Sequence, residues 1–148
     1  VDVGQKKEVV RVARATGRIT LRPETIQRMR NNSIEKGDVI SVAQIGGILS
    51  AKKTHEIIPL CHPIPITNVV VDLEIEGNDV VVMAEVSALA KTGVEMEALT
   101  ATATALLTIW DMTKKYEKDE KGQYPSTRIK EIRVLSKTKG GGEKNELP

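Results

Sequence analysis

Two neighbouring stretches with a two-residue period constrain the fold of this chain more than any other feature of its sequence. Residues 68–75 and 80–88 both alternate, with aliphatic side chains at every second position. Because successive side chains of a strand point to opposite faces of a sheet, each stretch predicts a strand with one buried face. The residues between them include Gly77 and Asn78, which favour a tight turn. The two strands are therefore expected to form an antiparallel hairpin.

The segment that follows the hairpin, residues 91–114, predicts a loop that leads into a long helix. Gly93 can act as a hinge, and Glu95 and Glu97 lie where the positive end of a helix dipole favours carboxylates. At about 100° per residue, one side of the helix carries apolar residues expected to face the core, namely Leu99, Ala103, Leu106, Leu107 and Trp110. The other side carries small residues between two carboxylates, and its members are Glu97, Thr104, Thr108 and Asp111. This side is expected either to pack tightly on another helix or subunit, or to form the wall of a cleft.

The remaining elements complete the pattern of an α+β fold. A strand bent at Gly17 is expected over residues 9–21, a short helix over 23–31, a second helix from 36 or 38 to 55, and a last strand over 128–137. The pair Gly46 and Gly47 inside the second helix lowers helix stability by about 1 kcal/mol per glycine, so another element is expected to approach closely there. The order strand, helix, helix, hairpin, helix, strand predicts a ferredoxin-like sandwich, an antiparallel sheet with helices on one face.

The length of 148 residues predicts a single domain over residues 1–148. Residues 1–8 are expected to form an N-terminal arm, and residues 138–148, which include three consecutive glycines, a flexible C-terminal tail. Apolar residues make up 40% of the chain but aromatic residues only 2%, so an aliphatic core is expected. A small sheet with helices on one face only commonly covers its other face by forming an oligomer.

Composition also excludes several classes of function. The net charge is only +2 and aromatic residues that could stack on bases are missing, so nucleic-acid binding is disfavoured. The single cysteine, Cys61, excludes an internal disulfide and any site with several thiolates on zinc or iron within one chain. No apolar run approaches the ~20 residues of a membrane span, and the start of the chain lacks the layout of a signal peptide. We therefore expect a cytoplasmic protein with no membrane partner, no dedicated metal site and no cofactor.

Three groups of ionisable residues are candidates for chemistry, and each also has a structural explanation. Asp111 and Lys114 share a helix face, where they form either a surface ion pair or a proton-transferring pair in a cleft. Lys52 lies at the end of the second helix, where the dipole favours a cation. Cys61 and His62 lie in a proline-rich extended segment and point to opposite sides, so they are not a thiolate and base pair. His62 is either a structural residue or an anion ligand.

Four short motifs resemble the MoaC family of molybdenum cofactor biosynthesis, the cyclic pyranopterin monophosphate synthases. They are Lys36-Gly37-Asp38-Val39, Ile58-Pro59-Leu60-Cys61-His62-Pro63, Lys91-Thr92-Gly93-Val94-Glu95-Met96-Glu97-Ala98-Leu99-Thr100 and Asp111-Met112-Thr113-Lys114. Each motif alone is weak, but the four in this order are highly specific, and the resemblance extends over essentially the whole chain. It implies a lyase that converts 3′,8-cyclo-7,8-dihydro-GTP to cyclic pyranopterin monophosphate and releases pyrophosphate. It also implies a hexamer, built as a trimer of dimers, with active sites at subunit interfaces.

The resemblance assigns roles to the candidate residues. Asp111 and Lys114 would be the general acid and base, with Lys36 as a third proton carrier. A carboxylate can accept hydrogen bonds from the N1 and N2 donors of a guanine-derived ring, and the residues implied for this base site are Glu95, Met96 and Glu97. The triphosphate needs cations and N–H donors, and the residues implied for it are Lys52, Cys61 through its backbone, His62 and Lys137.

Two departures from the family pattern leave alternatives open. The family commonly has a Lys-Ser-Gly-Gly-Lys pattern near its end, whereas this chain has Lys137-Thr138-Lys139-Gly140-Gly141-Gly142, so either Lys137 or Lys139 meets the phosphates. The loop over residues 117–124 is also longer than the resemblance leads us to expect and could change how the tail closes. The main alternative function is a non-catalytic oligomeric module that binds purine nucleotides, and a purely structural assembly protein is a third.

Overall fold

The computed structural model of the protein describes residues 1–140 and 143–146, the latter by their backbone. Over this part of the chain there are five strands and four helices. The strands are β1 (Val9–Thr20), β2 (Ile66–Glu76), β3 (Asp79–Ala90), β4 (Arg128–Lys139) and β5 (Glu143–Glu146). The helices are α1 (Pro23–Arg30), α2 (Val39–Ala51), α3 (Thr54–Ile57) and α4 (Glu95–Glu117).

The strands form one antiparallel sheet with the order β2-β3-β1-β4-β5. β2 and β3 are the predicted hairpin, with Glu76 opposite Asp79 at the turn. β1 lies between β3 and β4, and its residue Ala15 pairs with Ala84 on one side and Val134 on the other. Since β3 inserts between β1 and β2, the chain has the split βαβ arrangement. The predicted α+β, ferredoxin-like architecture is confirmed, with β5 as an additional edge strand.

Helices α2 and α4 cover one face of the sheet, and the core lies between them and the strands. Every second residue of β1 and β3 is buried there, including Ala13, Ala15, Ile19, Val80, Val82, Ala84 and Val86. The buried side of α4 is made largely of small or branched residues, among them Ala98, Ala101, Ala105 and Ile109. A Cβ atom on Gly17 of β1 would lie 2.7 Å from Leu106 Cδ1 and 3.1 Å from Thr102 Cγ2, so α4 lies close to the sheet there. The expected aliphatic core is confirmed.

Close contact between α2 and α4 explains the glycine pair in α2. A Cβ atom on Gly46 would lie 3.0 Å from Thr108 Oγ1 and 3.9 Å from Thr104 Cγ2. A Cβ atom on Gly47 would lie 3.0 Å from the Ala101 carbonyl oxygen. The predicted close approach is therefore confirmed, and the approaching element is α4. The small side of α4 is a helix-packing surface at Thr104 and Thr108, and its interpretation as a cleft wall is wrong there.

The prediction for the core-facing side of α4 is partly wrong. Leu106 is fully buried, but Leu107 is 60% exposed, and Glu97, expected on the opposite side, is only 2% exposed. The residues buried on α4 include Ala98, Ala101, Thr102, Ala105, Leu106, Ile109 and Met112. The helix lies close to the sheet, so alanines make up much of its buried side. The prediction was based on large apolar residues, and it therefore placed the buried side slightly too far around the helix.

The second helix is shorter than expected. It ends at Ala51 as α2, and the separate short helix α3 begins at Thr54. The outward side of α2 is apolar and is exposed in the single chain. The residues on this side are Val42, Ile45 and Leu49. A regular stripe of this kind on a helix is typical of a surface that another element or subunit covers.

Part of the predicted C-terminal tail lies in the sheet, whereas the predicted N-terminal arm has no helix or strand. β4 extends to Lys139, and residues 143–146 pair with it as β5, so residues 138 and 139 belong to the sheet. Residues 141, 142, 147 and 148 of the predicted tail lie outside the described residues. The arm, residues 1–8, has no helix or strand but contains hydrogen-bonded turns, with the Lys6 N–H donating to the Val3 carbonyl oxygen at 3.1 Å.

Candidate active site

The candidate residues fall into two clusters at opposite ends of α4. Asp111 and Lys114 lie in its C-terminal part, and Glu95, Met96 and Glu97 form its first turn. At 1.5 Å per residue, the 14 steps from Glu97 to Asp111 correspond to about 21 Å along the helix axis. One chain therefore does not bring the two clusters together, although the family resemblance places them in one active site.

The first cluster places a lysine on each side of Asp111. Lys36, on the loop between α1 and α2, has its Nζ 3.1 Å from Asp111 Oδ2 and 3.3 Å from the Asp111 carbonyl oxygen. Lys114, nearly one turn further along α4, has its Nζ 3.1 Å from Asp111 Oδ1. The three predicted proton carriers are therefore in direct contact, although Lys36 and Asp111 are 75 residues apart in the sequence.

The two ammonium groups hold the pKa of Asp111 below its usual range, first through the hydrogen bond from Lys36 and then through the one from Lys114. Asp111 is therefore a carboxylate at neutral pH. All three side chains are about half exposed in the single chain, so their ion pairs contribute little to stability. Two cations that share one carboxylate are suited to pass a proton to or from a bound substrate.

Glu97, in the second cluster, is a buried carboxylate with an unsatisfied oxygen. Within the described part of the chain, no donor reaches Glu97 Oε1, which is fully enclosed. Oε2 has one weak partner, the Cys61 Sγ at 3.8 Å. Burial raises the pKa of Glu97, which is the effect expected when a carboxyl group loses water without gaining donors. Glu97 can therefore accept a further hydrogen bond, but its side chain is enclosed and lines neither of the two cavities that lie beside it.

Cys61 lies beside Glu97 and is not set up as a nucleophile. Burial, and then the charge of Glu97, raises the pKa of its thiol, whereas reactive thiols have a lowered pKa. The Cys61 N–H, which the resemblance implies as a phosphate donor, donates instead to the Ile58 carbonyl oxygen at 3.1 Å. In this structure that N–H is therefore not free for phosphate, and it is the thiol that faces the second cluster.

A cavity of about 450 Å³ opens beside this cluster, within the size range of small-molecule sites. Its walls come from the N-terminal arm, the proline-rich segment before β2 and the start of α4. The predicted site residues that line it are Cys61, His62, Glu95 and Met96. Val1, Val3 and Lys6 of the arm also line it, although no role was predicted for the arm.

A second, smaller cavity of about 220 Å³ adjoins the first and is lined by basic side chains. Lys137 and Lys139 both line this cavity, so both of the lysines considered as alternatives are in place to bind an anion. Arg11 and Lys6 add two cations that sequence reasoning missed. Arg11 pairs with Lys139 in the register between β1 and β4, and this pairing, which the sequence does not fix, brings the basic residues together.

Lys52 lies exposed just after α2, at the same end of the helix layer as Glu97. The two helices are linked there by a hydrogen bond from Ser50 Oγ to the Thr100 carbonyl oxygen, at 3.4 Å. His55, on α3, is close enough for its charge to lower the pKa of Glu97, against the larger effect of burial. Lys52 therefore belongs to the pocket end of α4, and His55 is a further polar residue at this end.

The described residues, 1–140 and 143–146, include neither a metal-binding group of side chains nor a helix that could span a membrane. No group of three or more His, Cys, Asp and Glu side chains is arranged there to hold a metal ion. None of the helices in this part of the chain has the length and apolar character needed to cross a bilayer. The Lys36–Asp111–Lys114 cluster and the two adjoining cavities are the features from which a function is argued.

Fold and site together define a small ferredoxin-like protein, in which opposite ends of one helix carry a carboxylate paired with two lysines and a cavity of the size of a small-molecule site. The model of the MoaC family matches residues 1–140, a range that includes both clusters and both cavities. The chain belongs to the MoaC family.

Relatives of similar length share most of this sequence. The probable cyclic pyranopterin monophosphate synthase of Sulfurisphaera tokodaii is 60% identical over 139 residues, which are 94% of this chain and 92% of that protein. The protein of the same name from Pyrococcus furiosus is 59% identical over 139 residues, 94% of this chain and 89% of its own. The one from Methanosarcina acetivorans is 53% identical over 140 residues, 95% of this chain and 89% of its own.

Proposed function

We propose that this chain is a cyclic pyranopterin monophosphate synthase of molybdenum cofactor biosynthesis. The proposed reaction converts 3′,8-cyclo-7,8-dihydro-GTP into cyclic pyranopterin monophosphate with release of pyrophosphate, and the chain acts as a lyase without a cofactor of its own. The names of the relatives support the activity. In the site, the main support for a guanine-derived ligand is the buried oxygen of Glu97 that has no hydrogen-bond donor. A cytoplasmic location stays a prediction.

Glu97 is suited to bind a guanine-derived ring. The N1–H and N2–H donors of such a ring lie side by side, so one carboxylate can accept from both. A buried oxygen without a donor is costly, and a bound ring removes that cost. Glu95 and Met96 line the adjoining cavity and would flank the ring.

The basic cavity is suited to hold the triphosphate. When the cyclic phosphate forms, a substrate hydroxyl oxygen attacks the α-phosphorus, and the bond from that phosphorus to the bridging oxygen of the pyrophosphate breaks. The leaving pyrophosphate takes the electron pair, and cations beside it stabilise its charge. A member of the acid–base cluster takes the hydroxyl proton. The residues we assign to the phosphates are Lys6, Arg11, Lys52, His62, Lys137 and Lys139.

The two clusters can act on one substrate only if different copies of the chain supply them. Within one chain, about 21 Å of α4 separates Glu97 from Asp111. The outer side of the helix layer is apolar and exposed, as is typical of a surface between subunits, and its residues are Val42, Ile45, Leu49 and Leu107. We therefore propose a homo-oligomer, a hexamer built as a trimer of dimers, in which the acid–base cluster of one copy faces the Glu97 pocket of another.

Adding enzymatically prepared cyclised GTP to the pure protein tests the activity directly. We expect release of pyrophosphate together with the cyclic phosphate product. Binding without turnover would favour the alternative, a non-catalytic module that binds purine nucleotides. A protein whose melting temperature does not respond to the cyclised GTP or to GTP analogues would instead fit a purely structural assembly protein.

Co-expression of two impaired variants is expected to restore activity if two copies share each site. Asp111→Asn disables the acid–base cluster, and Glu97→Gln disables the ring acceptor. A shared site is intact when one copy supplies a normal cluster and the other a normal Glu97. With equal amounts of the two variants in a symmetric oligomer, this holds for about a quarter of the sites. Pyrophosphate release by the mixed oligomer is measured at a substrate concentration well below KM. The control pairs Asp111→Asn with Lys114→Ala, which alter the same cluster and cannot complement each other. Equal activity of the two mixtures would contradict a shared site.

Lys137→Ala and Lys139→Ala are each expected to raise KM by about 10–100-fold with a smaller change in kcat, the effect of losing one charged hydrogen bond to phosphate. Both lysines line the basic cavity, so both are placed to contribute. Steady-state kinetics with the cyclised GTP derivative measure the effect, and Lys121→Ala, on the exposed loop after α4, is the control. A higher KM in only one variant identifies the lysine that meets the phosphates. An unchanged KM in both removes the phosphate assignment of this cavity.

A further inference from the structure

The loop that carries Lys36 has no regular secondary structure but a defined backbone path. This Lys36 loop, residues 31–38, connects α1 to α2. Two of its residues have left-handed backbone angles, Asn32 with φ of 53° and Gly37 with φ of 116°. Ile34 is buried, and its carbonyl oxygen accepts a hydrogen bond from the Gly37 N–H at 3.1 Å. The segment that presents Lys36 is therefore anchored on both sides of that residue.

Tyr116, in the last turn of α4, binds the backbone of this loop directly. The Glu35 N–H donates a hydrogen bond to Tyr116 Oη at 2.8 Å. The carboxylate of Glu35 forms an ion pair with Lys115, the residue before Tyr116. The phenol ring is itself held in place, because the Arg28 guanidinium lies 4.5 Å from its centroid. The loop is thus attached to α4 at the residue immediately before Lys36.

Lys36 is consequently tied to one rigid helix at two points. The Lys36 ammonium group binds Asp111, and the N–H of the preceding residue, Glu35, donates to Tyr116. Tyr116 lies five residues after Asp111, or about 7.5 Å further along the axis of α4. A lysine side chain has many rotamers, and a mobile backbone would multiply the positions that its Nζ can reach. Fixing the backbone at Glu35 restricts the Nζ of Lys36 to the neighbourhood of Asp111.

We propose that Tyr116 is a positioning residue, whose hydroxyl holds the Lys36 loop so that the Lys36 ammonium stays on Asp111. The catalytic meaning of this role rests on the proposed function, because that function makes Lys36 a proton carrier. The effect of the hydroxyl falls on proton transfer and not on substrate binding, since Tyr116 acts through Lys36 and the ring and phosphate contacts are assigned to other residues.

Tyr116→Phe isolates the contribution of the hydroxyl, because the ring and its contact with Arg28 remain. We expect kcat to fall about 5–10-fold, the effect of losing one hydrogen bond, with KM unchanged. The exchange of the Glu35 amide proton with solvent is expected to become faster by a similar factor, since this amide loses its acceptor. The matched control is Tyr124→Phe, at the other tyrosine of the chain, whose ring centroid lies 5.0 Å from that of Trp110. This control is expected to change neither quantity.

Amide exchange at Glu35 requires no substrate, so it separates this inference from the proposed function. A lower kcat together with faster Glu35 exchange in Tyr116→Phe supports the positioning role. The role is overturned by unchanged Glu35 exchange, by a rise in KM at constant kcat, or by an equal loss of kcat in Tyr124→Phe. If the wild-type protein releases no pyrophosphate, the proposed function fails, and the exchange rate of Glu35 alone then decides whether Tyr116 holds the loop.

Discussion

Asp111→Asn and Lys114→Ala are each expected to lower kcat by about 10²–10⁴-fold, the usual contribution of a positioned general acid or base. The amide in Asp111→Asn keeps the shape of the side chain but loses the negative charge that binds Lys36 and Lys114. Lys114→Ala removes one of the three predicted proton carriers. KM is expected to change less, because the contacts with the ring and the phosphates are assigned to residues other than Asp111 and Lys114. Turnover is measured as pyrophosphate released from the cyclised GTP derivative.

The controls for these variants are Asp72→Asn and Lys121→Ala, which alter exposed side chains outside both clusters. Light scattering should show the same oligomer in every variant, since the half-exposed ion pairs of Asp111 contribute little to stability. Full turnover in both Asp111→Asn and Lys114→Ala would remove the acid–base assignment. A loss of turnover that always accompanies a loss of the oligomer would instead make the cluster a structural contact.

The sheet could be predicted from the sequence because its signals are local. The two-residue period of β2 and β3 and the turn at Gly77 lie within about 20 consecutive residues, and hydrophobic alternation sets their register. The glycine pair of α2 also gave a correct prediction, because Gly46 and Gly47 inside a helix indicate close packing whichever element approaches. These inferences need only the geometry of a strand or a helix and the size of a side chain.

The orientation of α4 could not be predicted, because it depends on the distance between the helix and the sheet. Ala105 is buried and Leu107 exposed, although leucine is the more apolar residue, because the buried side of α4 carries alanines together with Leu106 and Ile109. The basic cavity was missed for a related reason. Arg11 and Lys139 meet through the pairing of β1 with β4, two strands that are far apart in the sequence and whose register contains bulges.

The candidate site could be predicted as a set of residues but not as an arrangement. The family motifs include Lys36 and Asp111, and the structure shows that these two residues touch within one chain while Glu97 does not reach them. Tyr116, which holds the Lys36 loop, belongs to no motif, and no local pattern in the sequence indicates its contact with Glu35. Contacts between a loop and a distant helix depend on the path of the loop, which becomes visible only in the folded chain.

Glu97→Gln is expected to make the protein more stable and its substrate binding weaker. A glutamine side chain can accept from only one of the two donors on a guanine-derived ring, and its own NH₂ group then faces the other. We expect KM to rise by about 10–100-fold, the effect of losing a hydrogen bond to a charged group and leaving its partner unpaired. The gain in stability comes from removing a buried charge with an unsatisfied oxygen.

The stability gain in Glu97→Gln is expected to depend on pH with a defined sign. Burial raises the pKa of Glu97 above that of a glutamate in the unfolded chain, so the folded state binds its proton more tightly. The contribution of Glu97 to stability is therefore fully present at acid pH and is lost as the pH rises through the folded-state pKa. Wild type and Glu97→Gln should melt at similar temperatures near pH 3, more than one unit below the reference pKa of about 4.3 of an unfolded glutamate, where the side chain is protonated in both states. At pH 8 the variant should have the higher melting temperature.

Glu117→Gln, on the same helix, provides the matched contrast. Glu117 is as buried as Glu97, but its oxygens accept hydrogen bonds from the Arg22 N–H, at 3.0 and 3.1 Å, and from the Thr25 and Thr127 hydroxyls. An amide cannot satisfy all of these donors, so Glu117→Gln should lower the melting temperature at pH 8, where Glu97→Gln raises it. Calorimetry at equal protein concentration measures both variants, because melting of an oligomer depends on concentration. A Glu97→Gln protein that melts below wild type at pH 8 would show that Glu97 is a satisfied structural carboxylate, and the ring-binding role would lose its physical basis.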